Sequence, residues 1–178
     1  MKRTDFSVDW LFAACAPDTE LLPWNAQFTP VDLPHDWQIR HADDLYRDGT
    51  LFYRKYFFVT DVPGTRRMLW FGGAYMDTTV FVNGTEVGQW KYGYTSFWFD
   101  ITDALHEGQN EVLVRCNLRH PNSRWYSGAG LYRNVELWEA VCSCQRGRQR
   151  RLDRGRHCRG GFRHRRQHGP HADAASDR

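Results

Sequence analysis

The chain has 178 residues, enough for one ordinary domain and a remainder but not for a large multidomain enzyme. Its formal net charge of +3 averages two unlike segments. Residues 141–178 hold 11 arginines and 3 aspartates, a net of +8, whereas residues 1–140 hold the other 13 Lys+Arg and 18 Asp+Glu, a net of −5. No stretch approaches the roughly 18 apolar residues of a membrane span. Asp5 and Asp9 interrupt the N-terminal run that a signal peptide would need, so no membrane partner and a cytoplasmic address are expected. Aromatic residues are abundant (8 Trp, 8 Tyr, 11 Phe) beside a hydrophobic share of 41%, which suits an all-β domain with one buried face per sheet.

Phe6, Val8, Trp10 and Phe12 alternate, which predicts a short strand. Residues 30–50 carry little periodicity and read as a wrapping loop. Within it stands Leu33-Pro34-His35-Asp36-Trp37. Proline presets φ, Asp36 is placed to bond nearby amides, and Trp37 is placed to anchor the loop in the core. His35 has no partner nearby in sequence and is read as structural rather than catalytic.

From Phe52 onward strand signals arrive at short intervals. Residues 53–59 alternate, and Asp61-Val62-Pro63-Gly64 predicts a turn. Residues 68–71 form a second run closed by Gly72-Gly73. Asn83-Gly84 between residues 78–82 and 85–87 is a strong hairpin signal, because both turn residues need positive φ. Residues 96–99 make another strand, followed by Asp100-Ile101-Thr102-Asp103 as a capped turn. Gly108-Gln109-Asn110 is expected to turn the chain into a strand over 111–117, and 131–138 completes the series. Several short strands without a long amphipathic helix predict an antiparallel β-sandwich.

The segment 141–178 has too few apolar residues to offset ordering entropy, so a disordered basic tail is expected. One reading is a nucleic-acid-binding arm, but only Phe162 interleaves its arginines, and no nucleic-acid partner is favoured. Another is a metal site from Cys142, Cys144, Cys158 and His164, whose spacing matches no standard zinc pattern. The third, preferred, is out-of-frame translation, which spills arginine, glycine, alanine and histidine. No metal, no cofactor and no disulfide framework are expected, since Cys15 and Cys116 stand alone.

Residues 122–133, Asn-Ser-Arg-Trp-Tyr-Ser-Gly-Ala-Gly-Leu-Tyr-Arg, set Arg124, Trp125 and Tyr126 beside Gly128 and Gly130. Held outward by a tight turn, those three side chains form a lip for a flat polar ligand such as a sugar; held inward, the aromatics plug the core. Together with Phe52-Tyr53-Arg54-Lys55, Val82-Asn83-Gly84, Phe97-Trp98-Phe99-Asp100-Ile101-Thr102, Gly108-Gln109-Asn110-Glu111 and Arg133-Asn134-Val135, this stretch carries a resemblance. Residues 6–138 resemble the N-terminal sugar-binding β-sandwich of glycoside hydrolase family 2, which contains β-galactosidases, β-glucuronidases and β-mannosidases.

The resemblance implies a jelly-roll-like, galactose-binding-domain-like fold over residues 1–140, followed by the tail at 141–178. It implies retaining glycosidase chemistry by two carboxyls about 5 Å apart. These sit on a TIM barrel of roughly 250 residues. This chain has no room for that barrel, so it reads as a truncated fragment without activity, and no residue is assigned to catalysis. Glu107, Glu111, Glu136 and Glu139 are read as turn and strand-edge residues. The implied partner is a β-galactoside or related β-glycoside, met in the context of a full enzyme. The alternative is a freestanding carbohydrate-binding or interaction module. Asp48, Arg124, Trp125 and Tyr126 are the candidate substrate-binding residues by resemblance. For Asp48 a solvated turn before Gly49 is the simpler reading, and for Arg133 a structural ion pair. Sequencing the locus tests the tail: a one-base shift restoring a long reading frame near codon 141 is expected, and a clean stop without downstream coding potential refutes it.

Overall fold

The computed structural model describes residues 1–40, 44, 46–60, 64–120 and 128–141. Two units divide the chain, Met1–Gln145 and Arg146–Arg178, and every described residue belongs to the first. The tail, with its three readings, lies outside the described residues, as does most of the predicted turn at 61–64.

In chain order the strands are β1 (Lys2–Asp5), β2 (Trp10–Cys15), β3 (Thr29–Val31), β4 (Gly49–Val59), β5 (Thr65–Phe71), β6 (Thr78–Val82), β7 (Thr85–Trp90), β8 (Phe97–Asp100), β9 (Gly108–Leu118) and β10 (Val135–Val141). Short 3-10 turns at Gln38–Arg40 and Thr102–Ala104 are the helical elements among the described residues. Four strands form one antiparallel sheet in the order β1-β10-β5-β8. The other six form a second in the order β3-β2-β4-β9-β6-β7. This is the expected all-β antiparallel sandwich.

Burial follows the pleat. In β9, Val112, Val114, Cys116 and Leu118 are buried while Glu111, Leu113, Arg115 and Asn117 are half-exposed. Facing them across the core are Leu69 and Phe71 of β5 and Val135 of β10, all fully buried. Burying a side chain of this size contributes about 1.5–3 kcal/mol, so the shared interior between the sheets is what holds them together. Cys116 has no way to ionise there: burial pushes its thiol up to about 12.

The outer face of the six-stranded sheet is covered by the chain itself. Thr19 N–H donates to Thr50 Oγ1 at 3.1 Å, Arg115 Nη1 donates to the Glu20 carbonyl at 2.7 Å, and the Arg54 guanidinium lies 4.5 Å from the Phe28 ring. Residues 19–28 therefore cross β4 and β9. That crossing accounts for Phe52, which faces outward beside buried Leu51 and Tyr53 yet is itself 1% exposed.

The alternation at Phe6–Phe12 is not one strand. Trp10 and Phe12 lie in β2, whereas Phe6 and Val8 lie in the connection from β1, a strand of the other sheet. Asp9, at φ 57, lets the chain cross between them, and Val8 is left exposed. Among the described residues the wrapping loop takes in most of β3, the 3-10 turn Gln38–Arg40 and the start of β4. Gly108-Gln109-Asn110 opens β9 rather than turning into it, in register with Val59, Phe58 and Phe57. The predicted hairpin is present: Val82 pairs with Thr85 across Asn83 (φ 50) and Gly84 (φ 78).

Asn83 also ties this hairpin to β9. Its Nδ2 donates to the Ala104 carbonyl and to Asn110 Oδ1, both at 2.8 Å, and its Oδ1 accepts from Glu111 N–H at 2.9 Å. Asn83→Ala is expected to lower unfolding stability by about 1–3 kcal/mol. Asn83→Gly, which keeps the positive φ, should lose less. Equal denaturation midpoints for Asn83→Ala and wild type would contradict this account.

Candidate functional site

The site grows from the contact between two loops at one end of the sandwich. His35 N–H donates to the Leu131 carbonyl at 2.9 Å, and Trp37 N–H to the Ala129 carbonyl at 3.2 Å. On the other side, Gly130 and Tyr75 exchange backbone hydrogen bonds at 2.8 and 2.9 Å. Residues 129–131 are thus bonded on both flanks. Gly130 is required in this clamp: its φ is +84, and a Cβ there would stand 2.0 Å from Tyr53 Oη.

Beneath the clamp, Tyr53 Oη and His35 Nδ1 are 2.9 Å apart, both buried. Burial pushes the Tyr53 hydroxyl well above its ordinary range. His35 has the structural place expected from the sequence, and its partner lies 18 residues away. Asp36 Oδ1 accepts from the N–H of Gln38 at 3.1 Å, the local bond the sequence predicts, and Trp37 is buried.

Asp48 lies at the same end, immediately before β4. Its Oδ1 accepts the His120 N–H at 2.7 Å and stands 3.3 Å from His120 Nδ1. The His120 side chain is 10% exposed, the Asp48 side chain 40%, so the aspartate presents its free edge to solvent. The Tyr46 ring meets the imidazole edge-on at 5.8 Å between centroids. Asp48 is therefore more than a solvated turn residue: it fixes the strand end after β9. Next to it, Asp18 Oδ1 pairs with Arg119 and accepts from Asn117 Nδ2 at 3.3 Å. Asn117 N–H reaches the Met76 carbonyl at 2.9 Å. This arrangement offers hydroxyl-accepting carboxylate oxygens on a rigid base.

Of the sequence-predicted residues, Arg124, Trp125 and Tyr126 lie outside the described residues, which include both flanks of their loop, His120 and Gly128. His120 was missed because nothing in the sequence joins it to a carboxylate 72 positions earlier. Arg133 donates from Nη1 to the Gly72 carbonyl at 3.4 Å and lies 5.3 Å from the Tyr132 ring. Among the described residues it makes no ion pair. The four glutamates sit as read: Glu111 pairs with Arg54 and Glu139 with Arg67, Glu136 accepts from the Trp138 indole, and Glu107 lies in the exposed turn before β9.

With the two sheets and this end in place, the class is that of a sugar-binding sandwich. Residues 23–141 match the family described as "Glycosyl hydrolases family 2, sugar binding domain", and the chain belongs to that family. A β-galactosidase of Bacteroides ovatus, BoGH2A, is 38% identical over 155 residues, covering 76% of this chain and 18% of its own length. A β-glucuronidase of Bacteroides fragilis is 35% identical over 107 residues, covering 53% of this chain and 15% of its own. A solved glycosyl hydrolase family 2 member from Bacteroides cellulosilyticus superposes with a TM-score of 0.66 at 29% identity, over 78% of this chain and 20% of that one. The chain thus spans about a fifth or less of these relatives.

Gly130→Ala is expected to cost at least about 2 kcal/mol, since it combines positive-φ strain with a clash against Tyr53. His35→Ala, which removes the Tyr53 partner without a clash, should cost about 1–3 kcal/mol. Thermal or urea unfolding measures both, and a neutral Gly130→Ala would remove the basis for the clamp.

Proposed function

We propose that this chain is the accessory sandwich of a retaining β-glycosidase of the β-galactosidase or β-glucuronidase type, and that it performs no hydrolysis alone. The observation that carries the reading is the family match over 23–141 on a fold of strands and short turns. Retaining hydrolysis needs one carboxyl to protonate the leaving oxygen and another to attack the anomeric carbon, about 5 Å apart. In this family's chemistry both come from a barrel, and the ion-paired strand carboxylates described above stand in another role.

The sandwich's contribution is to the sugar subsite. Asp48, its Oδ1 held by His120, keeps its exposed edge for a substrate hydroxyl. A hydrogen bond to a charged group of this kind is worth about 1.5–3 kcal/mol when desolvated. Arg124, Trp125 and Tyr126, the other candidates by resemblance, lie outside the described residues and enter this reading through the resemblance alone. A β-galactoside is the favoured substrate, with a β-glucuronide as the rival suggested by the relatives' names.

Two measurements test this. The purified chain should show no turnover of a chromogenic β-galactoside or β-glucuronide, and measurable turnover abolished by no contaminant control would refute the reading. Residues 1–141 grafted in place of the matching segment of the Bacteroides ovatus relative should preserve β-galactosidase activity. In that chimera Asp48→Ala should lower kcat/KM by about tenfold or more while leaving the unfolding midpoint within a few degrees. Unchanged kcat/KM would take Asp48 out of the subsite.

A further inference from the structure

β1 stands at the edge of the four-stranded sheet, bonded to β10 on one side and to no described strand on the other. Every residue of it is exposed. The Phe6 N–H donates to the Val135 carbonyl at 2.9 Å, which continues the register that sets Thr4 opposite Leu137 and Lys2 opposite Glu139. Antiparallel ladders alternate, so positions 2, 4 and 6 direct their backbone groups to β10. The amides and carbonyls of Arg3 and Asp5 therefore point away from the sheet, into solvent.

The side chains of these two residues share a face. Arg3 lies opposite Trp138, its guanidinium 4.6 Å from that ring, and Asp5 lies opposite Glu136. Asp5 Oδ1 accepts the Ser7 N–H at 3.0 Å, which fixes the carboxylate at the end of the strand. Hydrogen bonds from the Ser7 side chain and amide hold its carboxyl below the usual carboxylate range, so it is charged at neutral pH.

We infer that β1 pairs antiparallel with β1 of a second copy of this chain, about a two-fold axis at Thr4, joining the two four-stranded sheets edge to edge. Residues directly opposite one another in a sheet lie on one face, so the axis of such a pair passes through a residue rather than between two. Centred on Thr4, the register sets Arg3 of each copy opposite Asp5 of the other, with Thr4 against Thr4. Arg3 and Asp5 are also the positions whose backbone groups point outward, so both charged pairs coincide with the hydrogen-bonded pairs of the new ladder. Centring on Lys2, Arg3 or Asp5 brings like charges face to face. Opposite charges across a strand pair stabilise it, and like charges directly opposite destabilise it, so one register is selected.

A short edge strand with basic residues ordinarily discourages pairing. In Lys2-Arg3-Thr4-Asp5 an acid follows the arginine two positions on, and that spacing makes the edge complementary to itself. The contact is small. Four residues a side fall well short of the roughly 1,200 Å² of a standard interface, so a dissociation constant on the order of 100 µM is expected. The inference goes beyond the glycosidase role and uses none of the residues invoked for it.

Sedimentation equilibrium of the purified 178-residue chain from about 10 µM to about 1 mM tests it, with circular dichroism to establish that each variant is folded. A reversible monomer–dimer equilibrium is expected. Arg3→Asp and Asp5→Arg each place like charges opposite one another and should weaken self-association about tenfold or more. An equimolar mixture of these two variants regains opposite charges at both pairs and should dimerise as wild type does. Arg3→Pro is a further variant, because it removes an outward N–H and none that is bonded to β10. It should abolish the dimer while leaving the unfolding midpoint within a few degrees of wild type.

The inference is overturned if wild type remains monomeric at about 1 mM, well above the expected constant. It is equally overturned if any of the three folded variants alone dimerises as strongly as wild type, which would move the contact to another surface of the chain. A mixture of the two folded charge variants that stays monomeric overturns it as well. Each of these results leaves the proposed glycosidase role standing.

Discussion

The structure depends on the close approach of Tyr53 to the backbone at Gly130. Tyr53 stands in the middle of β4, fully buried, and its hydroxyl fits only because position 130 has no side chain. From that contact the rest of the loop end follows. Residues 129–131 are bonded to 35–37 on one flank and to Tyr75 on the other, and His35 sits over the Tyr53 hydroxyl. Backbone amides and carbonyls that would otherwise be buried without partners are thereby satisfied. A loop attached to such a base can present large side chains without being stabilised by them, the usual division between a rigid scaffold and the residues it displays.

The two sheets solve the problem of their outer faces differently. The six-stranded sheet is covered by residues 19–28, held by the backbone contacts of Thr19 and Glu20 and by the stacking of Arg54 on Phe28. The four-stranded sheet has no such cover among the described residues and carries tryptophans instead, one stacked on the next and capped by Arg3. Placing large apolar side chains outward costs hydrophobic stabilisation unless they stack or bind something. Here stacking of Trp138 on Trp70 offsets part of that cost.

Membership of glycoside hydrolase family 2 places these features in a division of labour. Hydrolysis asks for two carboxyls at fixed separation, held by a structure larger than this sandwich. A sandwich can contribute rigid polar groups from its loop end. The Asp48–His120 pair has the properties required of such a group: one oxygen anchored by a backbone amide, the other edge exposed, and a shielded imidazole behind it. In the role proposed above, such a group acts through geometry rather than bond making.

Much of the fold was legible in the sequence, because its signals are local. The Asn83-Gly84 turn demands positive φ whatever surrounds it, and Val112, Val114 and Cys116 reveal a buried face by their spacing alone. Pro34 and Asp36 mark a loop for the same reason. The signals failed where a pattern ran through a boundary. Phe6 to Phe12 alternates without interruption, yet Asp9 sends the chain from one sheet to the other, a change of partner that periodicity does not encode. Phe52 is buried beneath residues 19–28, a segment to which the sequence assigns no element. The candidate site was the least legible part. Asp48 acquires its meaning from His120, and His35 from Tyr53 and Leu131, contacts that exist only once strands distant in the chain are in register. The sequence by itself determined which residues turn, which alternate and which family they resemble, since these rest on backbone preference and side-chain order. Only the tertiary structure decided which polar groups meet, which sheet face is covered and which strand is left at an edge, because each of those depends on the pairing of segments tens of residues apart.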